Sequence, residues 1–422
     1  MYILIIINNI IILNMKTKIY SMMKSFLSVL PPLFFAFSAF FLSGCIFPEK
    51  ISGRISSDTI WQGRILLEGD VYVEEGVRLT ILPGVSIRYS SGDIKNEVQM
   101  LRSSDGSTYD IFGKSKIEII VAGELDISGT EENPVVITAP TDEPGRAGGI
   151  SFVAGGNDSK INHLSINGGH IGLRLYDNRS PELNDITIRG AIAGGIGCWD
   201  RSAPEITRAE VISGKYGIGA SSLSAPIISS STIKNNSATG VFFEGQSRGV
   251  LRWSHISGNN VGVASGNDST PLITDNIIEG NGSGVGIWNN ASPAIKQNTF
   301  ISNIVGLLAL NDSVPEAENN IFKNNGGGAS FGDSSKGIFR MNLVSMSGPG
   351  VVLRGSSSPE ISSNTFMGNE YGLRAEGRSA SLISSNSFRE NRFALILSEY
   401  SKPVLSGNEF QNNLSETVDS RF

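Results

Sequence analysis

Glu182 and Glu205 are the best-placed pair of residues for chemistry in this chain. Each follows a proline, Pro181 and Pro204, at the same point of a repeating pattern. On a strand their parity is opposite to that of Leu183 and Ile206, so both side chains should point outward. On neighbouring passes of the chain their backbones would lie about 4.8 Å apart. Two carboxylates that close can serve as acid and base, or hold a cation. The competing reading is a solvated acidic face, in which Asp185 and Arg208 share a further column as a plain ion pair. Trp199 and Trp288 form a second candidate set, in one column four passes and about 19 Å apart. Exposed indoles suit the apolar faces of sugar rings; the alternative is a tryptophan folded over a turn. Trp288 has opposite parity to Ile287 and is expected to face solvent.

Composition removes other chemistries. The 422 residues carry 34 Lys and Arg against 40 Asp and Glu, so no positive field gathers a nucleic acid. Two cysteines exclude a disulfide framework or zinc ribbon. Three histidines, His163, His170 and His255, make a poor basis for a transition-metal site, and no metal or cofactor is expected. Cys198 shares parity with Ile196 in Gly195-Ile196-Gly197-Cys198-Trp199 and reads as a small buried apolar residue.

The positioning elements come from a 22-residue ruler. Pro271, Pro293, Pro315, Pro359 and Pro403 fall on it, and Pro226, Pro204 and Pro181 extend it backward with one-residue slips. Five residues after each mark stand Asn276, Asn298, Asn320, Asn342, Asn364, Asn386 and Asn408. Ten after stand Asn281, Asn303, Asn325, Ser347, Asn369, Asn391 and Asn413. Phe300, Phe322, Phe366, Phe388 and Phe410 share one apolar column; Gly284, Gly306, Gly328, Gly350 and Gly372 share another. Each period holds three short segments with alternating apolar positions, separated by Asn, Gly and Pro. Such segments are strands and the separators turns. One coil of three strands cannot bury its inner face; stacked coils can. The asparagines should form a buried ladder bonding turn backbone above and below. The glycines should mark turns of positive φ or close approach.

The unit P-x-I-x-x-N-x-F-x-x-N-x-x-G-L resembles the right-handed parallel β-helix repeat of the pectin-lyase-like superfold, and within it the NosD-like group. The resemblance covers residues 181–413. It implies an all-β solenoid of three short strands per coil, and it leaves function open. The Asp-Pro-His-Asp run of alginate epimerases and the Asp-Asp plus Gly-His-Gly pattern of polygalacturonases are both missing.

At the N-terminus, Lys16, Lys18 and Lys24 precede an apolar run from Phe26 to Leu42 that ends in Leu42-Ser43-Gly44-Cys45. This is an export signal, and its last four residues resemble a bacterial lipobox. That resemblance implies cleavage before Cys45, acylation of its thiol and attachment to a membrane. Ile46 in the next position points to the outer membrane, where the cell has one. The expected organisation is an export signal over 1–44, a lipidated tether over 45–57, cap and irregular first coils over 58–148, and the β-helix over 149–422. A polar insertion at about 90–114 carries Asp93, Glu97, Asp105 and Asp110. The leading expectation is a non-catalytic envelope protein that binds a polysaccharide or an envelope partner, without nucleic acid. The rivals are a polysaccharide lyase, hydrolase or epimerase using Glu182 and Glu205, and a NosD-like accessory factor for metal-centre maturation.

Overall fold

In the computed structural model the described residues are 47–91, 116–153, 158–177 and 179–421. The chain divides into a unit of residues 1–48 and a unit of residues 49–422. Cys45, Asp93, Glu97, Asp105 and Asp110 lie outside the described residues.

The described residues from 49 onward form a parallel β-solenoid of about fifteen turns. A typical coil runs Leu272–Thr274, Ile277–Glu279, Ser283–Ile287. Each strand pairs in parallel with its counterpart one coil on: Ile273 opposite Ile295, Ile278 opposite Phe300, Val285 opposite Leu307. Three parallel sheets, here called first, second and third in the order the chain visits them, therefore run along the solenoid. The alternation seen in the sequence is the cause. Every second residue of these strands points inward, and a single coil has nothing to pack it against.

Inside, the columns become stacks. Phe300, Phe322, Phe366 and Phe388 are fully buried. Their rings stack coil on coil, with centroids 4.5 Å apart for Phe300 and Phe322 and 4.9 Å for Phe366 and Phe388. The two asparagine columns form the expected buried ladders. Each amide donates to a strand carbonyl and to the next asparagine, as Asn298 does to Ile273 O at 2.8 Å and to Asn320 Oδ1 at 3.1 Å.

The corners do not use the glycine column, which meets the second of its two expected roles. The residue before each ladder asparagine takes the left-handed conformation: Asp275, Gln297, Asn319, Met341, Ser363 and Ser385 at one corner. The glycine column instead lies within third-sheet strands and serves close approach. A Cβ on Gly306 would meet Gly328 O and Phe322 Cδ1, each at 2.6 Å.

The ladder also starts earlier than the sequence pattern implied. Glu49–Ile55, inside the span expected to be tether, pairs with Arg64–Val73. Ile51, Gly53 and Ile55 supply the alternation that draws it into the sheet.

Candidate functional site

Glu182 and Glu205 are exposed and directly opposite each other on adjacent coils of the first sheet. Lys160, one coil earlier, is opposite Glu182, with its Nζ 3.8 Å from Glu182 Oε1. One coil later the column turns apolar at Ile227. The adjoining corner holds Arg208, which donates from Nε and Nη2 to the two carboxylate oxygens of Asp185, each at 2.7 Å. That guanidinium holds the Asp185 carboxyl below its ordinary range. On the second sheet Glu210 pairs with Arg189 and with Lys234. This face of the early coils is thus a lattice of exposed ion pairs, each worth about 0–1 kcal/mol.

The tryptophans occupy a different face. Backbone bonds carry one column through Leu175–Trp199, Cys198–Ser221, Ala220–Glu244, Phe243–Gly266 and Ser265–Trp288, so Trp199 and Trp288 are four coils apart. Both are half-buried. Neither ring simply faces solvent, because each folds back over a glycine two residues earlier on the outer side of the third sheet. A Cβ on Gly197 would meet Trp199 Cη2 at 2.0 Å, and one on Gly286 would meet Trp288 Cζ3 at 3.0 Å. Trp199 also stacks on Tyr176, with centroids 5.1 Å apart. Between them Phe242 reaches back one coil and lies over Gly219, its register partner. The Gly-x-Trp pattern of Gly197-Cys198-Trp199 and Gly286-Ile287-Trp288 is the sequence signal for this arrangement. Cys198 is buried, and burial pushes its thiol up to about 12.

A group that sequence reasoning missed lies on the same sheet in earlier coils. Asp70, Glu118, Ser151 and Arg174 are all buried. Glu118 N donates to Asp70 Oδ1 at 2.9 Å, Ser151 Oγ to Glu118 Oε2 at 3.4 Å, and Arg174 Nη2 lies 2.5 Å from Glu118 Oε1. Burial first, and Glu118 second, push the Asp70 carboxyl up to about 7. A carboxyl titrating near neutrality can hold or release a proton under ordinary conditions. Nearby, Arg179 is buried and donates to Val153 O and to Ala122 O, the latter at 2.8 Å, tying the ends of two coils together. Of the histidines, His163 lies 3.7 Å from Asp185 and His255 lies 3.3 Å from Glu279, while His170 is half-buried. Among the described residues no three His, Cys, Asp or Glu side chains gather as a metal site.

Two family models match the chain. One, described as a right-handed beta helix region, matches residues 194–344. The other, described as periplasmic copper-binding protein (NosD), matches residues 311–421. No curated protein matches the sequence. Solved structures of similar fold include the A-module of a mannuronan C-5 epimerase from Azotobacter vinelandii, with 16% identity, TM-score 0.44, and 81% of this chain and 90% of that one covered. Another is a hyperthermoactive exopolygalacturonase from Thermotoga maritima, with 10% identity, TM-score 0.29, and 85% and 84% covered. A third is a mannuronic acid specific polysaccharide family 6 lyase from human gut microbiota, with 11% identity, TM-score 0.32, and 78% and 77% covered. Three in-register parallel sheets, a 22-residue ladder and the two family matches make the chain a right-handed parallel β-helix repeat protein with NosD-like repeats.

Proposed function

We propose that this chain is a lipid-anchored β-helix of the bacterial cell envelope whose third sheet presents a binding surface for polysaccharide. One observation carries the binding reading. Trp199, Phe242 and Trp288 lie against bare glycine backbone along one outer face, half-buried and so fixed in place. Rings packed over glycine backbone offer fixed apolar surface to sugar rings, and a linear polymer along the solenoid axis would meet them in turn. The anchor rests on Leu42-Ser43-Gly44-Cys45 after the apolar run, with 1–44 as export signal and Cys45 as the acylated residue. The match to a family described as periplasmic supports an envelope location.

The test uses the full chain in detergent against acidic and neutral polysaccharides, with binding read by thermal shift and products by mass spectrometry. Binding without products is expected. It should weaken about tenfold in the Trp199→Ala, Trp288→Ala double variant and stay unchanged in Glu182→Gln and Glu205→Gln. New products that vanish in Glu182→Gln would instead make the protein a polysaccharide-modifying enzyme. For the anchor, intact mass of Cys45→Ser should show unlipidated or unprocessed protein; an acylated variant would sink it.

The NosD match supports a second reading, an accessory role in metal-centre maturation. Its span holds Met341, Met346 and Met367 and no histidine, and Met341 and Met346 are exposed. Thioethers are soft ligands suited to Cu(I). Copper retained by protein purified without chelators would favour this reading.

A further inference from the structure

We propose that Trp253 is a separate carbohydrate-stacking site, at the corner between the first and second sheets, that takes one pyranose ring of a glycan chain. Trp253 lies between the strands Val250–Arg252 and His255–Ser257. Its φ is 51°, in the left-handed region. The same corner one coil earlier holds Ser230 and one coil later Asp275, short polar residues that tolerate that conformation. Arg208, Gln297 and Met341 take the same conformation at this corner on other coils, so its backbone accepts a large side chain, and the indole is singled out by its surroundings.

Burial does not account for the indole. Trp253 is 58% exposed, whereas Trp61 is 3% exposed. The indole is nonetheless held. The Arg252 guanidinium lies over the ring, 4.4 Å from its centroid, and covers one face. The other face is left to solvent. Arg252 Nε is buried and has no hydrogen-bond partner among the described residues. The rim is small and polar: Ser230 on one side, and on the other Thr274 and Asp275, joined by a 2.7 Å bond from Thr274 Oγ1 to Asp275 Oδ2. A pre-oriented aromatic face with hydroxyl, carboxylate and guanidinium groups at its edge matches a sugar ring, apolar on its faces and hydroxylated around its perimeter.

This site stands apart from the third-sheet surface and does not rest on it. The full chain in detergent would be titrated by calorimetry and tryptophan fluorescence with cellohexaose, a neutral probe, and hexamannuronate, an anionic one. At least one probe should quench tryptophan fluorescence, and the quench should survive in the Trp199→Ala, Trp288→Ala variant. Trp253→Asn should weaken that event about tenfold, and Trp253→Phe should recover part of it. Asparagine accepts left-handed backbone, so Trp253→Asn should melt at the wild-type temperature or above, which separates lost binding from lost fold. Titrations of Trp253→Asn that superimpose on wild type with both probes, or no response to either probe, would overturn the proposal. Binding lost only in the Trp199→Ala, Trp288→Ala variant would overturn it while leaving the third-sheet reading intact.

Discussion

Asn320→Leu should destabilise the coils around it by about 2–6 kcal/mol, since each buried polar group left unpaired costs about 1–3 kcal/mol and two are affected. Asn320 is 1% exposed, in mid-ladder. Its Nδ2 donates to Ile295 O at 2.8 Å and to Asn342 Oδ1 at 3.0 Å. Its Oδ1 accepts from Asn298 N at 2.9 Å and from Asn298 Nδ2 at 3.1 Å. Leucine has the same number of side-chain heavy atoms in the same branching, so no cavity opens, and the loss comes from the missing hydrogen bonds together with its bulkier methyl groups. It leaves the Asn298 backbone N–H without its acceptor and takes a donor from the Ile295 carbonyl, in a site water does not reach, while the Asn298 side-chain amide keeps Ile273 O and Lys296 O. Because coils interact chiefly with their neighbours, the loss should be local. Hydrogen exchange should quicken first over residues 276–342, while protection over 64–89 and 117–128 persists. Urea titration should show the same loss as an earlier first transition. Asn320→Asp should fare no better, because it sets a second acceptor against the Ile295 carbonyl. If Asn320→Leu costs under about 1 kcal/mol, the ladder contributes no more than one ordinary net hydrogen bond and is not what fixes the coil spacing.

What was legible follows from what must repeat. A ladder asparagine bonds its own copy one coil away, so a strict spacing exposes it; the phenylalanine stack is visible for the same reason. The left-handed corners were illegible because their requirement falls on one residue's backbone and not on a contact between copies. Asp275, Gln297, Asn319 and Met341 all meet it and share no side-chain chemistry. Counting along the ruler also placed Glu182 opposite Glu205, since the one-residue slip between their coils falls after Glu182. Which way Trp199 and Trp288 lean depends on the empty space above Gly197 and Gly286, which parity does not record. Asp70, Glu118 and Arg174 were missed for a related reason. Each alternates with buried residues on its strand and so reads as solvated, yet all three are buried. Parity assigns a side chain to the outer face of a sheet; it does not say whether that face meets water.

That buried group gives the protein a pH dependence of definite sign. The Asp70 carboxyl is raised from 3.8 to about 7, by burial first and then by Glu118, against the Glu118 N–H bond that favours its ionised form. The groups that bear on it are Glu118 on Ile117–Val121, Arg174 on Ile171–Leu175 acting through Glu118, and the Tyr89 hydroxyl on Ser86–Tyr89, itself raised by burial. The folded pKa lies above the unfolded one, so between about pH 4 and 7 the folded state holds a proton the unfolded chain has released. Stability from this residue is therefore complete below pH 4, falls as pH rises through 7, and levels off above. At about 1.36 kcal/mol per unit, the full shift amounts to about 4 kcal/mol. Asp70→Asn keeps an oxygen for the Glu118 N–H and cannot ionise. Its melting temperature should change little between pH 5 and 8 where the wild type falls, and it should exceed the wild type at pH 8. Parallel curves for the two proteins, or a wild type that gains stability over that range, would refute the shift.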